Sequence, residues 1–118
     1  MIKTREDLKK YLSETSYSTT ILKFTASWCG PCKTIAPAIK ALREHYKDKN
    51  FEYIEVDVDQ SADLYAFFKK QKMLNGIPTI MSFKKSEYNL HTYWVPYKAF
   101  TGASPQDIAT LFKLSLAN

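Results

Sequence analysis

The sequence predicts an α/β fold in which helices cover both faces of a central mixed sheet. Segments rich in β-branched and aromatic residues alternate along the chain with segments whose apolar residues recur at helical spacing. Because a helical crossover between strands of one sheet is right-handed, the early strands are expected to be parallel. A length of 118 residues is enough for one hydrophobic core, so residues 1–118 are expected to form a single domain.

A helix and a strand are predicted at the start of the chain. Thr4 has a capping hydroxyl, and Asp7 stands three residues further on, which is the spacing of a capping box. These residues predict a helix over 4–13. Residues 19–26 are dense in threonine, isoleucine, leucine and phenylalanine, a composition typical of a strand.

A second helix is predicted to begin at Pro31 and Cys32. Proline suits the first turn of a helix, where the N–H that it lacks would have no partner. Pro37 lies further along and removes one backbone hydrogen bond, so it is expected to bend this helix. The helix should end near the polar residues 47–50.

The second half of the chain predicts three more strands and two helices. Apolar residues mostly alternate over 51–58, which indicates a strand, and Ser61 is expected to cap the next helix. Strands are predicted over 78–84 and 89–95, the second as the antiparallel partner of the first. Ser104 is expected to cap the last helix, because proline follows it and aspartate stands three residues on.

Cys29 and Cys32 are the only cysteines, and they lie where the first strand meets the second helix. Unpaired N–H groups and the positive end of the helix dipole favour a thiolate at the first sulfur, and the thiolate is the attacking species in disulfide exchange. The second sulfur lies one helical turn further and can attack a mixed disulfide. The alternative is half of a zinc site, whose other ligands would be His45 and His91, both distant in sequence.

Charge and hydropathy argue against several classes of protein. The net charge of +5 comes from scattered lysines without a basic motif, so no nucleic-acid partner is expected. No apolar run approaches the roughly 18 residues of a membrane span, and the N-terminus lacks the apolar stretch of a signal peptide. Two cysteines this close cannot form a stabilising framework, which fits a reducing compartment. A cytoplasmic protein without a membrane partner is therefore expected.

Four short motifs resemble one family. Trp-Cys-Gly-Pro-Cys-Lys at 28–33 is the active-site motif of the thioredoxin family. Gly-Ile-Pro-Thr at 76–79 resembles that family's cis-proline loop, and Val-Asp-Val-Asp at 56–59 resembles the end of its central strand. Gly-Ala-Ser at 102–104 resembles the loop before its last helix. The motifs follow the family's order over nearly the whole chain, which implies a thioredoxin-like fold.

The resemblance implies roles for the residues of the active-site motif. Cys29 is the expected nucleophile, exposed and with a lowered pKa, and Cys32 is the expected resolving thiol. Gly30 and Pro31 are expected to set the geometry and the redox poise, the proline favouring a reducing member of the family. Trp28 is expected to pack beside the disulfide and to offer a flat apolar surface to a partner; the alternative is a core aromatic.

The resemblance also implies a substrate-binding surface beside the cysteines. The peptide bond before Pro78 is expected to be cis, and the backbone of Ile77 is expected to pair with a bound peptide. The alternative is an ordinary trans proline at the start of a strand. Gly102 is expected to border the same surface.

Lys23 departs from the family pattern. By resemblance it occupies the place of a buried aspartate beneath the second cysteine, and Glu55 on the neighbouring strand faces the same space. We hypothesise an ion pair between Lys23 and Glu55, in which Glu55 takes over the proton-relay role of the missing acid. The alternative is that Lys23 extends to solvent and has no catalytic role.

The segment 84–101 is longer than the connection that the family uses, and Pro96 should interrupt a strand within it. One interpretation is a surface that recognises a partner or substrate, since aromatic residues are good interface anchors. The interpretation that we favour is a longer hairpin whose aromatic residues pack on the sheet. The aromatic and histidine residues concerned are Tyr88, His91, Tyr93, Trp94, Tyr97 and Phe100.

The resemblance implies a thiol–disulfide oxidoreductase that reduces protein disulfides through Cys29 and Cys32. It would need no cofactor and no metal, would act as a monomer, and would be returned to the dithiol by a thioredoxin reductase or an equivalent donor. One alternative is a non-catalytic binding or assembly module that uses the groove beside Pro78 and the segment 84–101. An oxidase or isomerase of a secretory compartment is disfavoured by Pro31 and by the absence of a signal sequence.

Overall fold

The computed structural model describes residues 1–117, and in this part of the chain four strands form one mixed sheet with helices on both faces. The elements in chain order are α1 Arg5–Glu14, β1 Thr19–Thr25, α2 Gly30–His45, β2 Phe51–Asp57, α3 Ala62–Lys70, β3 Thr79–Lys84, a short 3₁₀ helix Lys85–Glu87, β4 Lys98–Thr101 and α4 Pro105–Leu116. The strand order is β2-β1-β3-β4. Strands β1 and β2 are parallel, whereas β3 runs antiparallel to both β1 and β4. The predicted α/β fold and the parallel pairing of the first two strands are confirmed.

Alternation along β1 and β3 divides the core into two clusters, one on each face of the sheet. The cluster beneath α1 and α3 includes Leu8, Leu12, Leu22, Phe24, Leu64, Phe68 and Met81. The cluster beneath α2 and α4 includes Ile21, Ile35, Ile39, Ile80, Ile108 and Phe112. Each fully buried large side chain contributes about 1.5–3 kcal/mol, so these two clusters hold all four helices on the sheet.

The N-terminus of α1 has the predicted capping box. The Thr4 hydroxyl accepts a hydrogen bond from the backbone N–H of Asp7, at 3.1 Å, and the Asp7 carboxylate accepts one from the backbone N–H of Thr4, also at 3.1 Å. A third bond comes from the N–H of Lys3, at 3.0 Å. These backbone donors lower the pKa of Asp7 from its ordinary value of 3.8.

The capping hydrogen bond predicted at the start of α3 is absent. Ser61 occupies the N-cap position, but its side chain makes no capping hydrogen bond. Its hydroxyl instead donates to the carbonyl of Ile2, at 3.0 Å. The side chain of Ile2 is buried, so its carbonyl needs a protein donor in place of water. Ser61 therefore ties the N-terminal segment to the start of α3.

The strand predicted over 89–95 is wrong, because these residues form successive turns and β4 begins only at Lys98. The Asn89 side chain accepts a hydrogen bond from the N–H of His91, at 2.8 Å, and the Asn89 carbonyl accepts one from Thr92, at 3.1 Å. Asparagine commonly closes a turn in this way. Pro96 has no N–H to donate to a neighbouring strand, so pairing with β3 begins only after this proline.

Helix α2 accommodates the internal proline that the sequence predicted. Pro37 lies within the helix, which ends at His45, slightly before the predicted polar boundary. Within residues 1–117, no helix combines the length and the apolar character that a membrane crossing requires.

Candidate functional site

Cys29 and Cys32 form a disulfide at the N-terminus of α2. Strand β1 ends at Thr25, and the N–H of Cys29 donates to the carbonyl of Ala26, at 3.1 Å, which turns the chain into the helix. Cys29 is the N-cap residue, and its sulfur accepts a hydrogen bond from the N–H of Cys32, at 3.1 Å. The first sulfur therefore lies where helix N–H groups and the dipole stabilise negative charge.

Gly30 and Pro31 form the first residues of α2, in agreement with a helix that opens at the proline. No side chain or distant backbone atom lies within 4 Å of the position that a Cβ on Gly30 would occupy. Gly30 therefore presents open space beside the disulfide on the exposed side of the turn.

The expected exposure of Cys29 is wrong for the disulfide-bonded chain. Cys29 is 4% exposed and Cys32 is 1% exposed, and both belong to the cluster beneath α1 and α3. In the disulfide-bonded form, both cysteines are therefore buried at the start of α2. The lowered pKa of Cys29 concerns the reduced thiol and stays a prediction.

Trp28 lies on the surface next to the disulfide, and the alternative of a core aromatic is wrong. Its side chain is 66% exposed, and its indole Nε1–H donates to Oδ2 of Asp59, at 2.8 Å. Asp59 is itself held by a hydrogen bond from its N–H to the Asp57 carboxylate, at 2.9 Å. Asp59 thus fixes the indole, a role that the sequence analysis missed although the Val-Asp-Val-Asp motif contained it.

The loop before β3 has the expected cis peptide bond between Ile77 and Pro78, and the trans alternative is wrong. The carbonyl of Pro78 accepts a hydrogen bond from the N–H of Gly102, at 3.0 Å. Gly102 has φ +133°, a conformation that favours glycine. Ile77 packs against the apolar cluster that also contains the two cysteines.

Lys23 and Glu55 lie opposite each other on β1 and β2, beneath the disulfide. Lys23 is 3% exposed, so the alternative in which it extends to solvent is wrong. Its ammonium group donates to the carbonyl of Cys32, at 3.1 Å, and stands 3.8 Å from Oε2 of Glu55. The Glu55 side chain is 55% exposed, which weakens the attraction between the two charges.

A tyrosine on β2 donates a hydrogen bond to the carboxylate of this ion pair. The Tyr53 hydroxyl donates to Oε2 of Glu55, at 2.9 Å, and the Arg43 guanidinium lies 4.4 Å from the centre of the Tyr53 ring. Burial, followed by the hydrogen bond to the Glu55 carboxylate, raises the pKa of Tyr53 well above its ordinary value of 10.0. Tyr53 therefore acts as a hydrogen-bond donor to Glu55 throughout the ordinary pH range.

The aromatic residues of the segment 84–101 mainly pack on the protein. Tyr88, Tyr93 and Trp94 pack against the cluster beneath α1 and α3, and Trp94 meets Phe67 edge to face at 5.7 Å. Phe100 packs against the cluster on the other face. These contacts agree with the packing interpretation, although the connection is a series of turns and not a simple hairpin.

The alternative of a zinc site finds no support in this arrangement. Both sulfurs are joined to each other, and the ring of His45 packs edge to face on Tyr46, at 4.7 Å. Among the residues that the structure describes, no three histidine, cysteine, aspartate or glutamate side chains are grouped so that they could hold a metal ion.

The family model named thioredoxin matches residues 1–109. The chain belongs to the thioredoxin family. The Fasciola hepatica thioredoxin structure is 26% identical, with a TM-score of 0.71, and the alignment covers 97% of this chain and 96% of that chain. The match to the family model and the Cys29–Cys32 disulfide both agree with the resemblance of residues 28–33 to the active-site motif of this family.

Two curated relatives have similar levels of identity. Thioredoxin domain-containing protein 8 of Mus musculus is 35% identical over 86 residues, which are 73% of this chain and 63% of the relative. Thioredoxin 1 of Chlorobaculum tepidum is 35% identical over 99 residues, which are 83% of this chain and 89% of the relative. The chain therefore spans less than two thirds of the mouse relative and most of the bacterial one.

Proposed function

We propose that this protein reduces disulfide bonds of other proteins, and that Cys29 and Cys32 carry the electrons. The observation that carries the proposal is the Cys29–Cys32 disulfide at the N-terminus of α2, in a chain of the thioredoxin family. The N–H of Cys32 already points at the Cys29 sulfur and would bond the thiolate of the reduced form.

The reaction balances with two electrons and two protons. The Cys29 thiolate, whose own proton has gone to water, attacks one sulfur of the substrate disulfide, and the other substrate sulfur leaves and takes one proton from water. Cys32 loses its proton and attacks the Cys29 sulfur of the mixed disulfide. The second substrate thiol then leaves, also protonated, and the Cys29–Cys32 disulfide is formed.

The substrate would bind across the surface that Trp28 and the cis-proline loop border. The exposed face of Trp28 offers apolar area to a partner, and the backbone of Ile77 lies in the loop two residues before β3 begins at Thr79. The N–H of Gly102 donates to the carbonyl of Pro78, so Gly102 holds this loop in place. Protein substrates of different sequence suit such a surface, because hydrogen bonds to the peptide backbone do not depend on the identity of the side chains.

The same proposal includes the electron donor, the cellular location and the oligomeric state of the protein. A thioredoxin reductase or an equivalent dithiol donor would return the disulfide to the dithiol, so the protein acts as an electron carrier without a bound cofactor. A single redox pair without further structural disulfides suits the reducing cytoplasm. The same proposal has the protein act as a monomer.

An insulin-reduction assay with dithiothreitol tests the proposal. We expect the protein to accelerate the precipitation of insulin and Cys29→Ser to abolish the acceleration. Cys32→Ser is the matched control, because it should still attack substrate and accumulate a mixed disulfide through Cys29. A wild-type protein that binds partners without accelerating insulin reduction would instead indicate the non-catalytic module.

A further inference from the structure

The ammonium group of Lys23 lies in the protein interior without a full counter-charge. Lys23 is 3% exposed, and its Nζ donates a hydrogen bond to the carbonyl of Cys32, at 3.1 Å. Within residues 1–117, Glu55 is the only residue whose carboxylate lies at ion-pair distance from this nitrogen, and its side chain is 55% exposed. Solvent screens such a carboxylate, so it compensates the buried cation only in part.

The other charged groups close to the cysteines lie at the rim of the site. The carboxylate of Asp59 is exposed and bonds the Trp28 indole, and the carboxylate of Asp57 bonds the N–H of Asp59. Lys33, which follows the second cysteine, is exposed as well. Water and salt screen these surface charges. The charge that acts on the cysteines from the interior is therefore that of Lys23.

Reduction of the disulfide creates the anion that this cation lacks. Two glutathione thiols supply two electrons, become oxidised glutathione, and break the bond between the two protein sulfurs. One protein sulfur takes a proton, and the other is left as a thiolate. The N–H of Cys32, which already bonds the Cys29 sulfur, would bond that thiolate. Because the disulfide carries no charge, only the reduced form gains an attraction to Lys23.

The position of Lys23 makes this attraction strong. Its ammonium group bonds the backbone of Cys32, so it lies next to one of the two reacting residues. Cys29 and Cys32 are buried on the same side of the site as this cation. Unit charges a few ångströms apart interact much more strongly at such a site than in water.

We infer that the charge of Lys23 stabilises the reduced form of the cysteine pair. The protein is then a weaker reductant than a variant with an uncharged side chain at this position. Glu55 opposes the effect weakly, because its carboxylate repels the thiolate from a largely solvated position. The inference rests on the proposed exchange through Cys29 and Cys32. Lys23 does not touch the reacting sulfurs and acts on their equilibrium through its charge.

A redox titration of the full chain in glutathione buffers at neutral pH tests the inference. We expect Lys23→Met to need an about tenfold higher ratio of [GSH]² to [GSSG] for half reduction, which corresponds to a potential about 30 mV more negative. Glu55→Gln should lower this ratio about threefold, because it removes a screened negative charge. The measurement is made at equilibrium, so a proton relay through Glu55, which affects rates, does not change the result.

Each variant has a matched control. The Lys85 ammonium also donates to backbone carbonyls, but the N–H of this residue bonds the carbonyl of Ser18, at the end of β1 away from the cysteines. Lys85→Met should therefore titrate at the wild-type ratio. Glu52→Gln removes a carboxylate from the same strand as Glu55, where Glu52 bonds Tyr11, and should also leave the ratio unchanged.

An unchanged ratio in Lys23→Met would overturn the inference. So would shifts in the same direction for Lys23→Met and Glu55→Gln, because a loss of packing does not follow the sign of the removed charge. Should Lys23→Met fail to fold, an unchanged or higher ratio in Glu55→Gln overturns it. In each case a reversible wild-type titration leaves the redox proposal standing, whereas a wild-type disulfide that does not titrate would overturn both.

Discussion

At the scale of single residues, the unusual feature is a buried cation beneath the redox pair. Lys23 donates to the Cys32 carbonyl and faces a carboxylate, Glu55, that remains largely in solvent. The register of β1 and β2 places the two residues opposite each other, so their pairing follows from the parallel alignment. Their chemical roles can be separated by substituting one at a time.

Glu55→Gln tests the proton relay. If Glu55 accepts the proton of the Cys32 thiol, the variant should reduce disulfides about 100-fold more slowly and its rate should lose a pH-dependent step, as for other general bases. The measurement is the pH dependence of insulin reduction. Glu52→Gln is the matched control, since Glu52 lies on the same strand but bonds to Tyr11. An unchanged pH profile in Glu55→Gln rules out the relay.

Lys23→Met tests whether the buried ammonium group stabilises the fold. Replacing a buried ion by an apolar side chain of similar volume is often neutral or stabilising, and Glu55 remains solvated without its partner. We expect the free energy of unfolding of the oxidised protein in urea to rise by about 1 kcal/mol. Lys85→Met should instead lower it by about 1 kcal/mol, because the C-terminal carbonyls of α1 lose their donor. A loss of several kcal/mol in Lys23→Met would contradict this account.

At the scale of elements, helix α1 is fixed by its cap, and the cap depends on pH. The pKa of Asp7 lies below its ordinary value of 3.8, mainly because the N–H groups of Lys3 and Thr4 bond its carboxylate. A lowered folded-state pKa contributes stability that is present above the unfolded value and lost as the pH falls through the folded value. The contribution of Asp7 should therefore be intact at neutral pH and disappear below about pH 3.8.

Asp7→Asn measures that contribution. We expect the variant to be less stable than the wild type at neutral pH, and the difference to shrink as the pH falls below the ordinary carboxyl value, in urea unfolding followed by circular dichroism. Asp107→Asn serves for comparison, since Asp107 occupies the same position in α4, where its N–H bonds the Ser104 hydroxyl. A stability difference for Asp7→Asn that is constant with pH would show that the cap acts without the carboxylate charge.

The element that the sequence analysis misplaced is the last strand. Tyr93 and Trp94 stand in a run of aromatic residues that is typical of a strand, but they pack toward α1 and α3 from turns. A segment rich in aromatic residues can form either a strand or a loop that packs on the core. Only tertiary contacts, here those with Phe67 and the core, distinguish the two. Ser61 shows the same limit, because a distant carbonyl, that of Ile2, captures its hydroxyl.

At the scale of the whole molecule, local motifs predicted the redox site better than the features that depend on long-range contacts. The two cysteines, the cis bond at Pro78 and the pairing of Lys23 with Glu55 follow from motif and strand register. The burial of Cys29 and the bond from Trp28 to Asp59 depend on segments far apart in the chain. No periodicity or motif encodes such contacts, so the sequence alone did not predict them.

A redox titration tests the central claim most directly. The protein is equilibrated in glutathione buffers, the free thiols are alkylated, and the alkylated fractions of Cys29 and Cys32 are read by mass spectrometry. We predict that both cysteines change state together along a two-electron curve, in which about 30 mV corresponds to a tenfold change in the equilibrium ratio. A cysteine pair that never closes, never opens, or titrates as two independent thiols would contradict the account.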